Sequence, residues 1–435
     1  MAKDKLTEYS ATNASNDVIG DISVAEGMLP SAVNNALREQ MTHLKNFSDG
    51  TDGIDVLSLA DDDASASIKI QAPSAVTTTT TLTLPDGDGD AGAMLQTNGS
   101  GQLAWSTAYR NRNLVTNGAC QVAQRSSSVT GITSNGYYTV DRFTHYLGGG
   151  GTWTSAQDSN APSGFANSLK LTCTTANASP SAGTYSEISY LIEAQDLQRL
   201  GFGTSTAKTC TLSFWVKSNK TGNFSIYFLQ RDNSNKLFST HYTINTADTW
   251  EYKTLTVPAD TSGVINDDNG VGMDFTFGLS YGTNFTSGSE QTSWGTNVNA
   301  NRGAGLNVNL ADATSNYWQI TGVQLEVGEQ ATPFEHRSFG DEFAACQRYY
   351  IDCGTLLVQG YGYGSGGDGS GSALMFPVTM RSTPTMSKTS EDDDGSSASL
   401  IFNFTSSRGT SLEAQSTNGS HSNYVHASVT ADSEL

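Results

Sequence analysis

Apolar and polar residues alternate with a period of two along much of this chain, most cleanly between Thr209 and Pro258. Leu212, Phe214 and Val216 alternate with Ser213, Trp215 and Lys217. Phe224, Ile226 and Phe228 come after a polar break at Ser218–Gly222, and Phe238, Tyr242 and Ile244 make a third run. Trp250–Val257 is the fourth, closed by Pro258. Successive side chains of a strand point to opposite faces, so the pattern predicts four strands in a row and no helix. Further strands are expected near Tyr137, Val140 and Phe143, at Leu169–Cys173, at Tyr185–Ile192, at Met273–Leu279 and at Tyr317–Val327. In the last, Trp318, Ile320 and Gly322 fall on one face, and Gln319, Thr321 and Val323 on the other. Asn111–Gly118 reads as an edge entering a sheet. At least eight strands in about 240 residues suit a jelly-roll-like β-sandwich over 111–337.

The flanks differ. Val33, Leu37, Met41 and Leu44 fall on one stripe of a helix that Pro30 and Ser31 open, with Ser31 as N-cap, and that ends near Phe47. So short a helix is not stable alone, and its stripe must meet another chain or another part of this one. Tyr9–Glu26, small and polar, admits two readings: a flexible tail, or a docking arm that orders on a partner. In 51–110, Val56, Leu57, Leu59, Ile68, Ile70, Leu82 and Leu84 form clusters too short for a single-chain core. The expected solution is a short shaft of several chains sharing a narrow core. Phe343 and Cys346 lie on one side of a short connecting helix in 338–350. Residues 351–435 are a small β tip: Leu356–Val358, then Leu374, Phe376 and Val378 interrupted by Pro377 and hence an edge strand, then Leu400, Phe402 and Phe404, and last Tyr424–His426. Glu391–Asp394 reads as an acidic turn, and association of identical chains would compensate the small size of the tip. The fold class is mainly β: an N-terminal segment of 1–50 with one helix, shaft and linker of 51–110, sandwich, connecting helix, tip.

Charge narrows the partners. With 43 acidic against 23 basic residues the formal charge is -20, which disfavours a nucleic-acid backbone and an anionic membrane surface. Five cysteines show neither metal-ligand spacing nor a disulfide framework, and are read as reduced core residues. Met1–Ser10 is polar and unlike a signal peptide, and no run of ~20 apolar residues predicts a membrane span, so a soluble chain made in a cytoplasm is expected.

Candidate chemistry is sparse. Asp86–Asp90 resembles a calcium loop, but Ala91 and Thr97 stand where an EF-hand needs Gly and Glu, so an exposed turn without metal is expected. Gly278-Leu279-Ser280-Tyr281-Gly282 has the spacing of a nucleophile elbow, yet Thr283–Gly288 reads as a loop where a helix is required. None of the six histidines forms a zinc-protease pair. Glu187, Glu193, Asp267 and Asp268 could serve a glycosidase, but no spacing pairs them, and no repeat marks a long β-helix. No catalytic residue and no cofactor is expected. Sugar binding on exposed aromatics points to Trp294 with Tyr281 and Phe285, and to Tyr361 and Tyr363 in a Gly-rich loop. The competing readings are a Trp294 that covers the core and a loop that is merely flexible.

The segment Ala25-Glu26-Gly27-Met28-Leu29-Pro30-Ser31-Ala32-Val33-Asn34-Asn35-Ala36-Leu37-Arg38-Glu39 resembles the N-terminal segment of tailed-phage fibre proteins. Thr83–Gly87 and Leu95–Gly99 look like their shaft linkers. Gln198–Gly203, Leu212–Gly222, Asp248–Tyr252, Ile320–Gly328, Ala331–Arg337 and Cys346–Tyr350 are similar, in this order, to a sandwich recurring in such fibres, and the tip matches through Phe376–Arg381. The resemblance implies a homotrimeric fibre of the virion tail. Val33, Leu37, Met41 and Leu44 would serve tail docking and trimer contact, on a tail or adaptor protein. The C-terminal half would meet a host cell-surface glycan or outer-membrane receptor, without membrane insertion. A tailspike-type depolymerase and a monomeric carbohydrate-binding module are the alternatives.

Overall fold

The computed structural model describes residues 16–19, 21–25, 27–48, 56–60, 67–71, 82–87, 93–97, 103–107, 111–232, 235–360, 371–393, 398–416 and 423–435. The chain divides into two compact units, Met1–Thr83 and Leu84–Leu435.

In the first unit, β1 (Val18–Ile19) and β2 (Ile22–Ser23) form a minimal hairpin before α1 (Pro30–Ser48). The helix starts at Pro30, so Ser31 lies inside its first turn and is not the N-cap. Proline's fixed φ and missing N–H suit the first helical position. α1 buries Ala36 and His43, while Val33, Leu37, Met41 and Leu44 stay 43–68% exposed. β3 (Val56–Ala60) pairs antiparallel with β4 (Ser67–Gln71). In the second unit β5 (Ala93–Thr97) pairs with β6 (Leu103–Thr107). Among the described residues, the stretch expected to be a shaft therefore contains two single-chain hairpins. Leu82 and Leu84 are exposed, as is Asp86 in the acidic turn.

Twelve strands build the sandwich: β7 (Ser128–Ile132), β8 (Gly136–Tyr137), β9 (Phe143–Gly148), β10 (Thr152–Asp158), β11 (Ser168–Thr175), β12 (Tyr185–Glu193), β13 (Cys210–Ser218), β14 (Gly222–Gln230), β15 (Lys236–Ile244), β16 (Glu251–Val257), β17 (Val271–Tyr281) and β18 (Tyr317–Val327). Sheet one runs in the order β16, β13, β18, β11, β10, β7; sheet two runs β15, β14, β17, β12, β9, β8. The four consecutive strands of the sequence pattern form as expected but divide between the sheets: β13 and β16 pair in sheet one, β14 and β15 in sheet two. Alternation says which side chains face the core, and both sheets turn their apolar side to the same core. Phe214 and Trp318 of sheet one meet Phe277 of sheet two there, all 0% exposed. The Trp318 indole N–H donates to the Tyr242 hydroxyl (2.9 Å), so the one polar handle in this aromatic cluster has a partner.

Three expectations change. Asn111–Gly118 is irregular and mostly buried, not an edge strand. Its polarity is resolved by side chains: Asn113 Nδ2 donates to the Val323 carbonyl (3.2 Å), and Asn117 Nδ2 donates to the Val122 carbonyl (2.8 Å). Left-handed φ at Asn111 and Asn117 prevents an extended run. In β18 the alternation changes phase: Trp318 and Ile320 face the core, but so do Val323 and Leu325. Gly322, at φ +62°, sits opposite a register shift in β13 and acts as a bulge. The segment after the Gly278–Gly282 motif is a one-turn helix, α2 (Thr283–Thr286), where a loop was expected. Ser280 is buried in β17 and donates to Asn309 Oδ1 (2.7 Å). A second one-turn helix, α3 (Asn299–Arg302), comes next.

The connecting helix is α4 (Phe339–Gln347), capped by Ser338, whose hydroxyl accepts from Asp341 N (3.2 Å). Beyond it lie β19 (Tyr350–Gly360), β20 (Gly371–Met375), β21 (Thr385–Asp392), β22 (Ala398–Ser406), β23 (Gly409–Ser416) and β24 (Asn423–Asp432). They form two three-stranded sheets, β19-β24-β21 and β20-β23-β22. β20 is an edge strand, as Pro377 predicts, but it ends at Met375, so Phe376 and Val378 are outside it. Phe404, at φ +51° and 94% exposed, leaves the alternation that buries Leu400. Glu391, expected in a turn, belongs to β21 and pairs with Lys388 (3.0 Å). The end of the chain lies on the sandwich. Arg142 and Arg125 both engage the Glu434 carboxylate, and Arg125 also reaches Asp432 (3.1 Å). Their guanidinium carbons sit 3.4 Å and 3.7 Å from the ring centroids of Tyr349 and Tyr350 respectively.

Candidate functional site

Each sheet has one face on the core and one turned away from it, and the two outer faces are built differently. On sheet two, register places Thr144, Ser189, Thr276, Tyr227 and Ser239 in one cross-strand row. All five are buried. Beside them run Tyr146, Glu187, Gly278, Ser225 and His241. The segment between β17 and β18 lies along this side: Leu237 N donates to the Gly295 carbonyl (2.8 Å), and Ser239 N to the Gln291 carbonyl (2.9 Å).

Several polar groups on this covered face pair with one another, while the Ser225 hydroxyl has no hydrogen-bond partner. Tyr227 donates to Glu187 Oε2 (3.1 Å), Ser189 and Thr276 share a hydrogen bond (2.7 Å), and Arg231 Nε donates to Asp274 Oδ1 (2.5 Å). Arg302 lies over the Tyr227 ring at 5.5 Å. Burial pushes the Glu187 carboxyl up to about 7, against the Tyr281 and Tyr227 hydroxyls and the Arg302 guanidinium, which favour its charged form. Burial also raises Asp274, with Arg231 opposing it. Glu193 is elsewhere; against the upward push of burial, a two-point bond to Arg348 holds it below its usual range. Asp267 and Asp268 are exposed in the loop before β17. The four carboxylates named from sequence thus do not converge. Glu187 instead shares its face with Asp274, at 5% and 0% exposure.

The outer face of sheet one is aromatic toward β16, with half-buried rings beside an exposed Tyr252, while the outward residues of β18 are buried. Trp215 of β13 stands beside Tyr252 of β16, ring centroids 5.3 Å apart, and Tyr252 is 44% exposed. On the other side Gly322 leaves room for two rings: a Cβ there would lie 2.7 Å from Phe165 and 3.1 Å from Trp215. Phe165 continues the run to Phe334, at 5.0 Å, and to the exposed His336, at 5.3 Å. One strand position along, Lys217, Gln319 and Lys170 form a row between Trp250 and Tyr317. Asn160 Oδ1 accepts from Trp250 Nε1 (3.1 Å) and from Lys217 Nζ (2.5 Å). The face thus offers ring surfaces edged by amides, hydroxyls and two ammonium groups, an arrangement suited to a ligand with both C–H faces and hydroxyls.

No family profile matches the sequence, and no curated protein matches it. Among solved structures, the chain is similar to the enzymatically active domain of tailspike protein 4 from bacteriophage CBA120: 16% identity, TM-score 0.25, half of this chain and 22% of that one. It is similar to a family 4 carbohydrate-binding module at 12% identity and TM-score 0.26, over 49% of this chain and 99% of that one. A family 11 carbohydrate-binding module of a Clostridium thermocellum cellulase gives 12% identity and TM-score 0.25, over 46% and 99%. Such low scores leave any assignment to the geometry of the chain itself.

The aromatics singled out from sequence sit elsewhere. Trp294 packs its indole against Phe202 and Phe238, both at 5.9 Å, and donates its N–H to the Pro258 carbonyl (2.7 Å). Tyr281 and Phe285 lie together at 5.4 Å, in a separate cluster with Tyr185, Tyr227 and Leu237. Tyr361 and Tyr363 lie outside the described residues. The aromatics of sheet one were missed although their signal is local: Trp215 and Lys217 occupy the positions that alternate with the core residues Phe214 and Val216. A tryptophan in the outward phase of a strand is the mark. Among the described residues no group of side chains could hold a metal, and no helix is long and apolar enough to cross a membrane.

Proposed function

We propose that this chain is a tail-fibre protein whose sandwich recognises carbohydrate through the outer face of sheet one. The observation that carries the carbohydrate part is the run of the exposed Tyr252 and the half-buried Trp215, Phe165 and Phe334, with amides and hydroxyls beside it. Sugar rings stack their C–H faces on such surfaces while their hydroxyls take the polar rim. Bases also stack on aromatics, but a chain of charge -20 is poorly matched to a phosphate backbone. The fibre part is supported by the ordered resemblance over residues 8–350 and by the exposed stripe of α1. In this reading three chains associate, residues 1–50 dock on a tail or adaptor protein, and the sandwich and tip face a host surface glycan in the virion tail. Three weak sites per fibre would then act multivalently.

Titration of the full-length protein against a panel of host surface glycans tests the first part. Binding that Trp215→Ala abolishes supports it; binding that this variant leaves intact removes the face from consideration. Light scattering tests the second: three chains are expected, and a monomer would favour a single-chain binding module.

A further inference from the structure

Lys217 is unusual within the aromatic face. Its residue is 9% exposed, near the end of the second strand of the sheet and opposite the buried Gln319. Its Nζ lies 5.4 Å from the Trp250 ring centroid and 5.8 Å from that of Tyr317. Among the described residues no carboxylate forms an ion pair with it, and its hydrogen bond goes to the neutral Asn160 amide oxygen. The nearby acids are engaged: Asp158 pairs with Lys170 (3.2 Å), and Asp248 accepts from the Tyr317 hydroxyl (2.5 Å). Lys170 adds a second positive charge along the same row, over the Tyr317 ring at 5.2 Å. An ammonium has three donors, and here the Asn160 oxygen takes one.

Holding a largely covered cation without a direct ion-pair partner is costly, and two like charges in one row add to the cost. Burial and then Lys170 hold Lys217 below the usual lysine range, against the opposing pull of Asp158 and Asp248, which attract it without forming an ion pair with it. In a chain with 43 acidic residues, that absence is local.

We infer that the outer face of sheet one takes an acidic sugar, whose carboxylate pairs with Lys217 while its ring stacks on the neighbouring aromatics. This rests on the carbohydrate reading of that face and narrows it. The anion supplies the missing counter-charge, and Trp250 and Tyr317 flank it and exclude water. A neutral sugar would leave Lys217 as it stands. A phosphate-bearing sugar shares the anion but not the planar carboxylate, and forms a separate arm of the test.

The test is calorimetric titration of the full-length protein with a hexuronate oligosaccharide, its carboxyl-reduced neutral counterpart, and a phosphorylated oligosaccharide of similar length. The hexuronate is expected to bind at least about 10-fold more tightly than its reduced form. Lys217→Met should lose about 10- to 100-fold of that affinity, the worth of one charge-assisted hydrogen bond, and Lys217→Arg should retain most of it. Thermal melting of both variants controls for folding, and the Lys217→Arg rescue separates charge from packing. Equal affinity for hexuronate and reduced probe, or a Lys217→Met variant that binds hexuronate like the parent, overturns the inference while Trp215-dependent binding keeps the carbohydrate reading. A preference for the phosphorylated probe over hexuronate overturns the carboxylate in favour of phosphate. If none of the three probes binds, the inference fails, and the host glycan panel with Trp215→Ala decides the carbohydrate reading separately.

Discussion

The two outer faces of the sandwich start from the same rule and end differently. Both are the non-core side of a six-stranded antiparallel sheet. On sheet two, side chains are small or hydrogen-bonded, and the chain returns over them between β17 and β18. On sheet one, the outward residues Thr321, Gln324 and Glu326 of β18 are buried under segments bonded through Asn167 and Thr332, and the rings Trp215, Phe165 and Phe334 are half-buried beside the exposed Tyr252. A buried polar face must satisfy its own groups, as Glu187, Tyr227, Asp274 and Arg231 do. A face that meets solvent in part, as around Tyr252, can hold aromatic surface and a cation without an ion-pair partner for something else. Charge burial on one face therefore serves the fold, and aromatic exposure on the other is available for recognition.

The largest effect that would test this contrast is on the covered face. Asp274→Ala leaves Arg231 without its partner and should cost about 3–4 kcal/mol of unfolding free energy, near the low end for broken buried pairs because Arg231 can turn toward water. Denaturant melts measure it, and glycan affinity should not move. A loss of binding with stability intact would reverse the roles of the two faces.

Next is a pH dependence. Glu187 has a folded value of about 7, above the ordinary 4.5. Its contribution is therefore fully present below the ordinary value and is lost as pH rises toward 7, about 3 kcal/mol over that interval. Glu187→Gln should lack this loss, so its stability relative to the parent rises by about that amount between pH 4 and pH 8. A difference that stays flat across this range would mean the carboxyl is not shielded.

A smaller stability effect and a larger binding effect belong to sheet one. Trp215→Ala should cost about 2–3 kcal/mol of stability, because most of its ring is covered, while lowering glycan affinity about 10- to 100-fold. Smallest is Gly322→Ala. It places a Cβ against Phe165 and Trp215 at φ +62°, for about 1–2 kcal/mol, and displaces the rings enough to weaken binding. An unchanged melting temperature in Gly322→Ala would show that the bulge does not fix the aromatic run.

Much of the fold was legible. Alternation marked β13 to β16, β11, β12, β17 and β18, and a 3.6-residue stripe marked α1. Weakly alternating strands escaped: β7 carries Val129 and Ile132 on either side of Gly131, and β10 is read only through its partner β11. Asn111–Gly118 misled because its apolar residues are buried without a ladder, held by asparagine side chains. For the site, the alternation already separated Trp215 and Lys217 from the core, while Trp294 drew attention through its polar neighbours and proved to pack on Phe202 and Phe238.

By itself the sequence determined which residues alternate and hence which side of each strand is buried, because a strand's periodicity is local. It also determined the helix stripe of α1 and the acidic charge. The tertiary structure alone decided that β13 and β14 belong to different sheets, that Gly322 reverses the phase of β18, and which outward residues are covered and which, like Tyr252, meet solvent. Those outcomes depend on strand partners and a returning segment distant in sequence, and period-two alternation is blind to both.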